Sequence, residues 1–211
     1  MSISITDYKL DYDTHSLYRV DFFDDYITTL VTHTPSKVKS WINKTRYLHR
    51  YRLHKLIIGL DVEWRPSFSN GVNNPVATLQ LCVGHRCLIF QLLHTPGIPS
   101  RLFNFLADPD FTFVGVGIKD DVRKLYLEYG LAVRRFVDLR ELEARRYGWS
   151  VQRNIGLKDM AADVLGQEFE KPKTITMSHW DNPSLSLAQI KYACIDAFVS
   201  FEIGRALRAA K

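Results

Sequence analysis

Cysteine is scarce and odd in number: Cys82, Cys87 and Cys194 are the only three in 211 residues. Their spacing matches no zinc pattern, and an odd count rules out a simple disulfide framework. They read as buried, reduced thiols, which points to an intracellular chain, cytoplasmic or nuclear. Long apolar runs are also missing; nothing approaches the ~20 residues of a membrane span, so no membrane partner is expected. The first residues, Met1–Tyr8, lack the basic-then-apolar order of a signal peptide. The apolar run Phe111–Ile118 contains Gly115 and Gly117 but not a dinucleotide fingerprint, which excludes a Rossmann-type site. One further absence is local: no Asp or Glu occurs between residues 36 and 55.

What is present is ordinary in bulk and unusual in detail. The chain is 46% hydrophobic and 24% charged, as in common globular proteins. Its length suits one domain with a full core, or one domain with a small appendage. A net charge of +5 is compatible with a polyanionic partner. The unusual stretch is Leu56–Trp64, Leu-Ile-Ile-Gly-Leu-Asp-Val-Glu-Trp. Side chains of a strand alternate between faces, so Asp61 and Glu63 point the same way. Two neighbouring carboxylates repel, and burial aggravates it. A hard divalent cation between them removes the conflict; the simpler alternative is a strand ending in solvent.

Taken in order, Tyr18, Val20 and Phe22 alternate with Arg19 and Asp21 as in a half-buried strand. Asp24-Asp25 predicts a turn and Ile27–Thr32 a second strand, together an N-terminal hairpin whose aromatics would suit a homo-oligomer interface. Thr34-Pro35 predicts a helix start. Val38, Trp41, Ile42, Thr45 and Leu48 recur at helical spacing. The opposite side carries Lys37, Lys39, Lys44, Arg46, Arg50, Arg52 and Lys55, with Tyr47 and Tyr51 among them. The whole Ser36–Lys55 stretch is expected to be a basic helix, and Lys37, Lys44, Arg46 and Arg50 are candidates to track phosphates.

After the Leu56–Trp64 strand, Ser67–Pro75 predicts a turn-forming loop. Val76–Val83 and Cys87–Leu92 predict strands joined through Gly84-His85-Arg86. Helices are expected over Pro99–Leu106, Lys119–Gly130, Leu139–Tyr147, Gly156–Leu165 and Leu187–Ala210, with strands over Phe111–Ile118 and Arg135–Leu139. Asp120 and Asp121 stand at the start of one helix, where either suits the helix dipole. In the last helix, Tyr192 and Asp196 share a face one turn apart. Asp196 lies in the apolar run Ala-Cys-Ile-Asp-Ala-Phe, where a carboxylate needs a partner: a metal ion or an arginine.

Four pieces of sequence resemble one family. They are Asp61-Val-Glu63-Trp64, Val76-Ala-Thr-Leu-Gln-Leu-Cys-Val83, Gly115-Val-Gly-Ile-Lys-Asp-Asp121-Val-Arg-Lys-Leu125 and Tyr192-Ala-Cys-Ile-Asp196. In this order they are similar to the motifs of DEDD-type 3′–5′ exonucleases, in the tyrosine branch that includes ribonuclease D and the exonuclease domain of the Werner syndrome helicase. A histidine-branch base five residues before the last aspartate is excluded, because that position is Lys191. Ser178-His-Trp180 fits the same family.

The resemblance implies an α/β fold of the RNase H-like type, a mixed five-stranded sheet flanked by helices. Residues 1–26 would be an N-terminal strand or hairpin extension and 27–211 the exonuclease domain. It implies hydrolysis of single-stranded nucleic acid from a free 3′ end to nucleoside 5′-monophosphates. Analogy favours RNA over DNA. Asp61, Glu63, Asp121 and Asp196 would bind two Mg²⁺ or Mn²⁺ ions; the motif register selects Asp121 over Asp120. Tyr192 would position the attacking water. Leu60, Val62 and Trp64 would line the terminal-base site. The chain departs from the family where an arginine is frequent, at Thr176, and where asparagine is common, at His179.

Overall fold

Asp61 and Glu63 lie on strand Ile57–Trp64, and everything needed to place them follows from that strand's neighbours. The computed structural model describes residues 3–67, 71, 73–148 and 155–210. Residues 68–70 and 72 of the expected Ser67–Pro75 loop lie outside the described residues.

The chain begins with β1 (Ser4–Asp7), β2 (Ser16–Phe22) and β3 (Asp25–Thr32), an antiparallel meander. The predicted hairpin is there, and β1 adds a strand beside it. Helix α1 (Pro35–Leu48) then leads to β4, the Ile57–Trp64 strand. β5 (Val76–Val83) and β6 (Arg86–Phe90) turn back in a second antiparallel pair. After α2 (Ser100–Leu106) comes β7 (Thr112–Gly115), parallel to β4. Helix α3 (Ile118–Tyr129) and β8 (Phe136–Asp138) complete the sheet. Four helices close the chain: α4 (Leu139–Tyr147), α5 (Leu157–Leu165), the short α6 (Lys173–Thr176) and α7 (Leu187–Ala206).

The sheet runs β1-β2-β3-β6-β5-β4-β7-β8. Its right-hand part, β6-β5-β4-β7-β8, is a mixed five-stranded unit of the expected kind. The sheet as a whole is wider than that expectation, because β3 pairs in parallel with β6 and continues it by three strands. The edge so formed leaves Tyr8, Tyr12 and Tyr26 exposed.

Two cores sit on the two faces. One holds α4, α5 and α7 against the sheet, through residues such as Leu139, Met160 and Phe198. The other holds α1, α2 and α3, through residues such as Val38, Phe105 and Leu125. β4 feeds both: Ile58, Leu60 and Val62 enter the second core, and Gly59, Asp61 and Glu63 face α7 by alternation. The three cysteines are free and buried, as expected. No helix among the described residues is long and apolar enough to cross a membrane.

The basic stretch is not one helix. α1 stops at Leu48, and a 3₁₀ turn at Leu53–Lys55 precedes β4. The chain there must reverse direction: β3 and β4 run the same way, so α1 returns from the end of β3 to the start of β4.

Candidate active site

Close approach of α7 to the sheet builds the site. A Cβ on Gly59 would lie 1.9 Å from the Ala197 carbonyl oxygen, so only glycine lets the helix backbone rest on β4. Ala197 follows Asp196, and Gly59 precedes Asp61 by one same-face step. The contact therefore sets Asp196 against Asp61. Glycine at 204 does the same near Val114 and Ile57, further along α7.

The outcome is a cluster of Asp61, Glu63 and Asp196, each offering a carboxylate oxygen within 4.8 Å of the others. Asp196 is 4% exposed and Glu63 9%. Beside them β5 presents Thr78 and Gln80, both buried and joined by a 2.7 Å hydrogen bond. Asp61 Oδ2 and Asp196 Oδ1 are buried without a hydrogen-bond partner. Buried carboxylate oxygens are normally paired, so two orphans within one carboxylate cluster mark a place that suits a cation.

Electrostatics agree with the geometry. Burial, then the nearby Asp196, push the Asp61 carboxyl up to about 7. Burial, then Asp61, Asp196 and Asp121, hold Glu63 well above the usual carboxylate range. Asp196 is raised by burial despite the opposing pull of Lys171. Asp121 is pushed up to about 8 by burial, then by Asp61, Asp120 and Asp138. Asp121 thus faces the cluster from the first turn of α3, although its oxygens lie outside the 4.8 Å group. Its neighbour Asp120 is exposed. The start of α3 is fixed by Gly117, whose positive φ only glycine adopts easily and whose N–H donates to Asp138 Oδ2 at 3.1 Å.

Tyr192 stands one turn before Asp196. Its hydroxyl accepts a 3.0 Å hydrogen bond from Thr176 Oγ1. Burial, then Asp196, raise its pKa, so it stays a neutral phenol. Trp180 is fully buried 6.1 Å from the Tyr192 ring, with its indole N–H on the Thr176 carbonyl. Gln189, which forms a capping box with Ser186, donates to Ser178 Oγ and the His179 carbonyl. This pins the 176–180 turn to the head of α7.

Not every expected site residue is here. Leu60 and Val62 are buried in the core of α1, α2 and α3, on the opposite face from the carboxylates. Alternation makes this unavoidable once Asp61 and Glu63 face α7, so neither lines a base site beside them. Trp64 also packs toward that core, under Lys124 at 4.9 Å. The basic candidates sit on α1, across the sheet. Arg46 pairs with Asp108 at 2.8 Å. Lys37 stands 5.7 Å from the Tyr12 ring. Lys44 is exposed on the same helix. Arg50 lies between Tyr47 and Tyr51, 4.5 and 4.4 Å from their centroids, at the end of α1 that adjoins the start of β4.

Two residues of the site were invisible beforehand. Lys171 Nζ donates to Asp196 Oδ2 at 2.5 Å, a partner other than the metal ion or the arginine that the sequence suggests. Thr176 was noted only for a missing arginine. Both belong to a polar connection with no periodicity, so spacing carries no signal for them.

The oxygen-only donor set fits a hard divalent cation, held by Asp61, Glu63 and Asp196 with Asp121 adjacent. Comparison with known proteins agrees with that chemistry. A family model described as 3′–5′ exonuclease matches residues 29–210. An Arabidopsis thaliana 3′–5′ exonuclease is 35% identical over 72% of this chain and 52% of its own length. The mouse bifunctional 3′–5′ exonuclease/ATP-dependent helicase WRN is 30% identical over 70% of this chain and 10% of its own length. This chain therefore spans about half of the first relative and a tenth of the second. Escherichia coli RNase D superposes with a TM-score of 0.70 at 19% identity, covering 85% of this chain and 44% of that one. The Aedes aegypti Nibbler exonuclease domain gives 0.67 at 17%, covering 85% and 87%. These two establish the likeness of fold. With its carboxylates gathered on α7 and β4 and residues 29–210 matched by the family model, the chain belongs to the 3′–5′ exonuclease family of hydrolases.

Proposed function

We propose that residues 27–211 form a metal-dependent exonuclease domain that removes nucleotides from the 3′ end of single-stranded nucleic acid as 5′-monophosphates, with residues 1–26 as an extension. The observation that carries this reading is the convergence of Asp61, Glu63 and Asp196, with two orphaned carboxylate oxygens, beside Tyr192. Asp61, Glu63, Asp121 and Asp196 would hold two Mg²⁺ or Mn²⁺ ions. Bound there, such ions supply an activated water and charge neutralisation at the phosphodiester.

The chain's own groups have defined parts. The carboxylates stay close because Gly59 admits α7. Tyr192 accepts from Thr176 and is hydrogen-bonded to Asp196, which ties its hydroxyl to the cluster. Tyr192, one turn from Asp196, would orient the attacking water through its hydroxyl. RNA is the substrate to set first against DNA.

The test is a time course on 5′-labelled single-stranded RNA and DNA with Mg²⁺, Mn²⁺ or EDTA. A metal-dependent ladder shortening from the 3′ end is expected, with circular single strands left intact. A folded protein that shortens neither polymer would overturn the proposal, and cutting of circles would make it an endonuclease.

A further inference from the structure

One short segment of the α5–α7 connection engages both halves of the site. At its start, Lys171 donates to Asp196 Oδ2 at 2.5 Å and stands 5.0 Å from the Tyr192 ring centroid. At its end, Thr176 donates to the Tyr192 hydroxyl. The Lys171 side chain is 25% exposed and Asp196 5%, so this ion pair is largely screened from water. Lys171 is the cation paired with the cluster: its charge acts on Asp61, Glu63 and Asp196 alike.

A lysine is an incomplete answer to such a cluster. It satisfies one oxygen of Asp196 and leaves Asp196 Oδ1 and Asp61 Oδ2 unpaired. A divalent ion serves several carboxylates at once. The two cations compete, because a positive charge at 2.5 Å from a ligand oxygen both occupies a lone pair and repels an incoming ion. Lys171 also has somewhere to go. A cavity of about 410 Å³ adjoins it, with Phe169, Pro172, Ile175 and Ile195 on its apolar side and Glu170 and Lys191 also in its lining. Its apolar wall suits a retracting four-carbon stem.

We propose that Lys171 is an internal counter-cation of the carboxylate cluster: it holds Asp196 in position before a divalent ion binds, and must leave Asp196 Oδ2 for that ion to enter. The inference rests on the reading of the cluster as a divalent-ion site. It makes Lys171 a positioning residue that sets the affinity for metal, since binding free energy includes the displacement of the lysine.

The test is a calorimetric Mn²⁺ titration of the full chain, wild type against K171M, K171R and K173M. K171M should bind Mn²⁺ more tightly by about tenfold or more, within the range by which groups around metal ligands tune affinity. Its metal-free form should melt lower than wild type, because Asp196 loses the counter-charge it is paired with, and saturating Mn²⁺ should close the gap. K171R, which keeps the competitor, and K173M, two residues on at the start of α6, should stay at the wild-type affinity. Equal or weaker Mn²⁺ binding by K171M would overturn the proposal while leaving the metal site standing. Failure of every form to bind Mn²⁺ would overturn the divalent-ion reading as well. If K171M does not fold, lysine acylation of the wild-type protein followed by mass spectrometry decides. Saturating Mn²⁺ should raise the reactivity of Lys171, and unchanged reactivity would overturn the proposal.

Discussion

β4 sends alternate side chains into two environments that differ in almost every physical respect. Toward α1, α2 and α3 it offers Ile58, Leu60 and Val62, which disappear into an apolar core. Toward α7 it offers a glycine and two acids, which meet a third acid and a lysine. The first face is satisfied by burial alone. The second is not: two carboxylate oxygens there lack partners, and burial, then the neighbouring carboxylates, raise the pKa of Asp61 and Glu63. The difference teaches that a fold keeps its unsatisfied groups where a ligand can satisfy them, and keeps stability on the other side of the same strand.

Substitutions can break this division. Asp61→Asn should take metal-dependent shortening of a 5′-labelled strand down to the level seen with EDTA, while far-ultraviolet circular dichroism stays that of the wild type. A large loss of secondary structure would mean that the acid serves the fold. Tyr192→Phe removes only a hydroxyl. Turnover should fall about 10²–10⁴-fold, the range of a positioned proton donor or acceptor, with Mn²⁺ affinity unchanged in a titration; unaltered turnover would remove the tyrosine from the mechanism.

Leu60→Ala tests the opposite face. It should cost about 2–5 kcal/mol in denaturant unfolding, as for other large-to-small core changes, yet leave the rate per folded molecule near wild type. A rate loss greater than the loss of folded protein would return Leu60 to the site. Arg50→Ala should do least. It removes a surface cation held between Tyr47, 64% exposed, and Tyr51, 83% exposed, far from the carboxylates. Turnover of a trinucleotide should change by less than about twofold, as for most surface substitutions; a larger drop would place the basic end of α1 on the substrate path.

The same two faces show what could be read beforehand. The hairpin, β4, the β5–β6 pair, α3 with its glycine stop and α7 were all legible, because alternation, helical spacing and cap residues are local signals. The candidate ligands Asp61, Glu63 and Asp196 were legible for the same reason: each breaks an apolar pattern, and a buried acid is conspicuous. The direction of Leu60 and Val62 followed from the very alternation that paired Asp61 with Glu63. Carrying them into the site ignored it. The basic stretch was legible only in part. Its charge was evident, but charge carries no information about which face of the sheet a helix covers.

Sequence alone determined the period of each segment, the acids that interrupt it and, through their order, the family. Tertiary structure decided what those residues meet. Gly59 looks like any glycine in a strand until α7 rests on it. Lys171 lies 25 residues from Asp196 in an aperiodic connection, and only chain folding brings its ammonium to that carboxylate. The width of the sheet was settled by β3 joining β6 in parallel, a pairing between strands more than fifty residues apart. The physical reason is common to all three: local patterns record which way a side chain points, and the partner it finds is a long-range contact that no local pattern encodes.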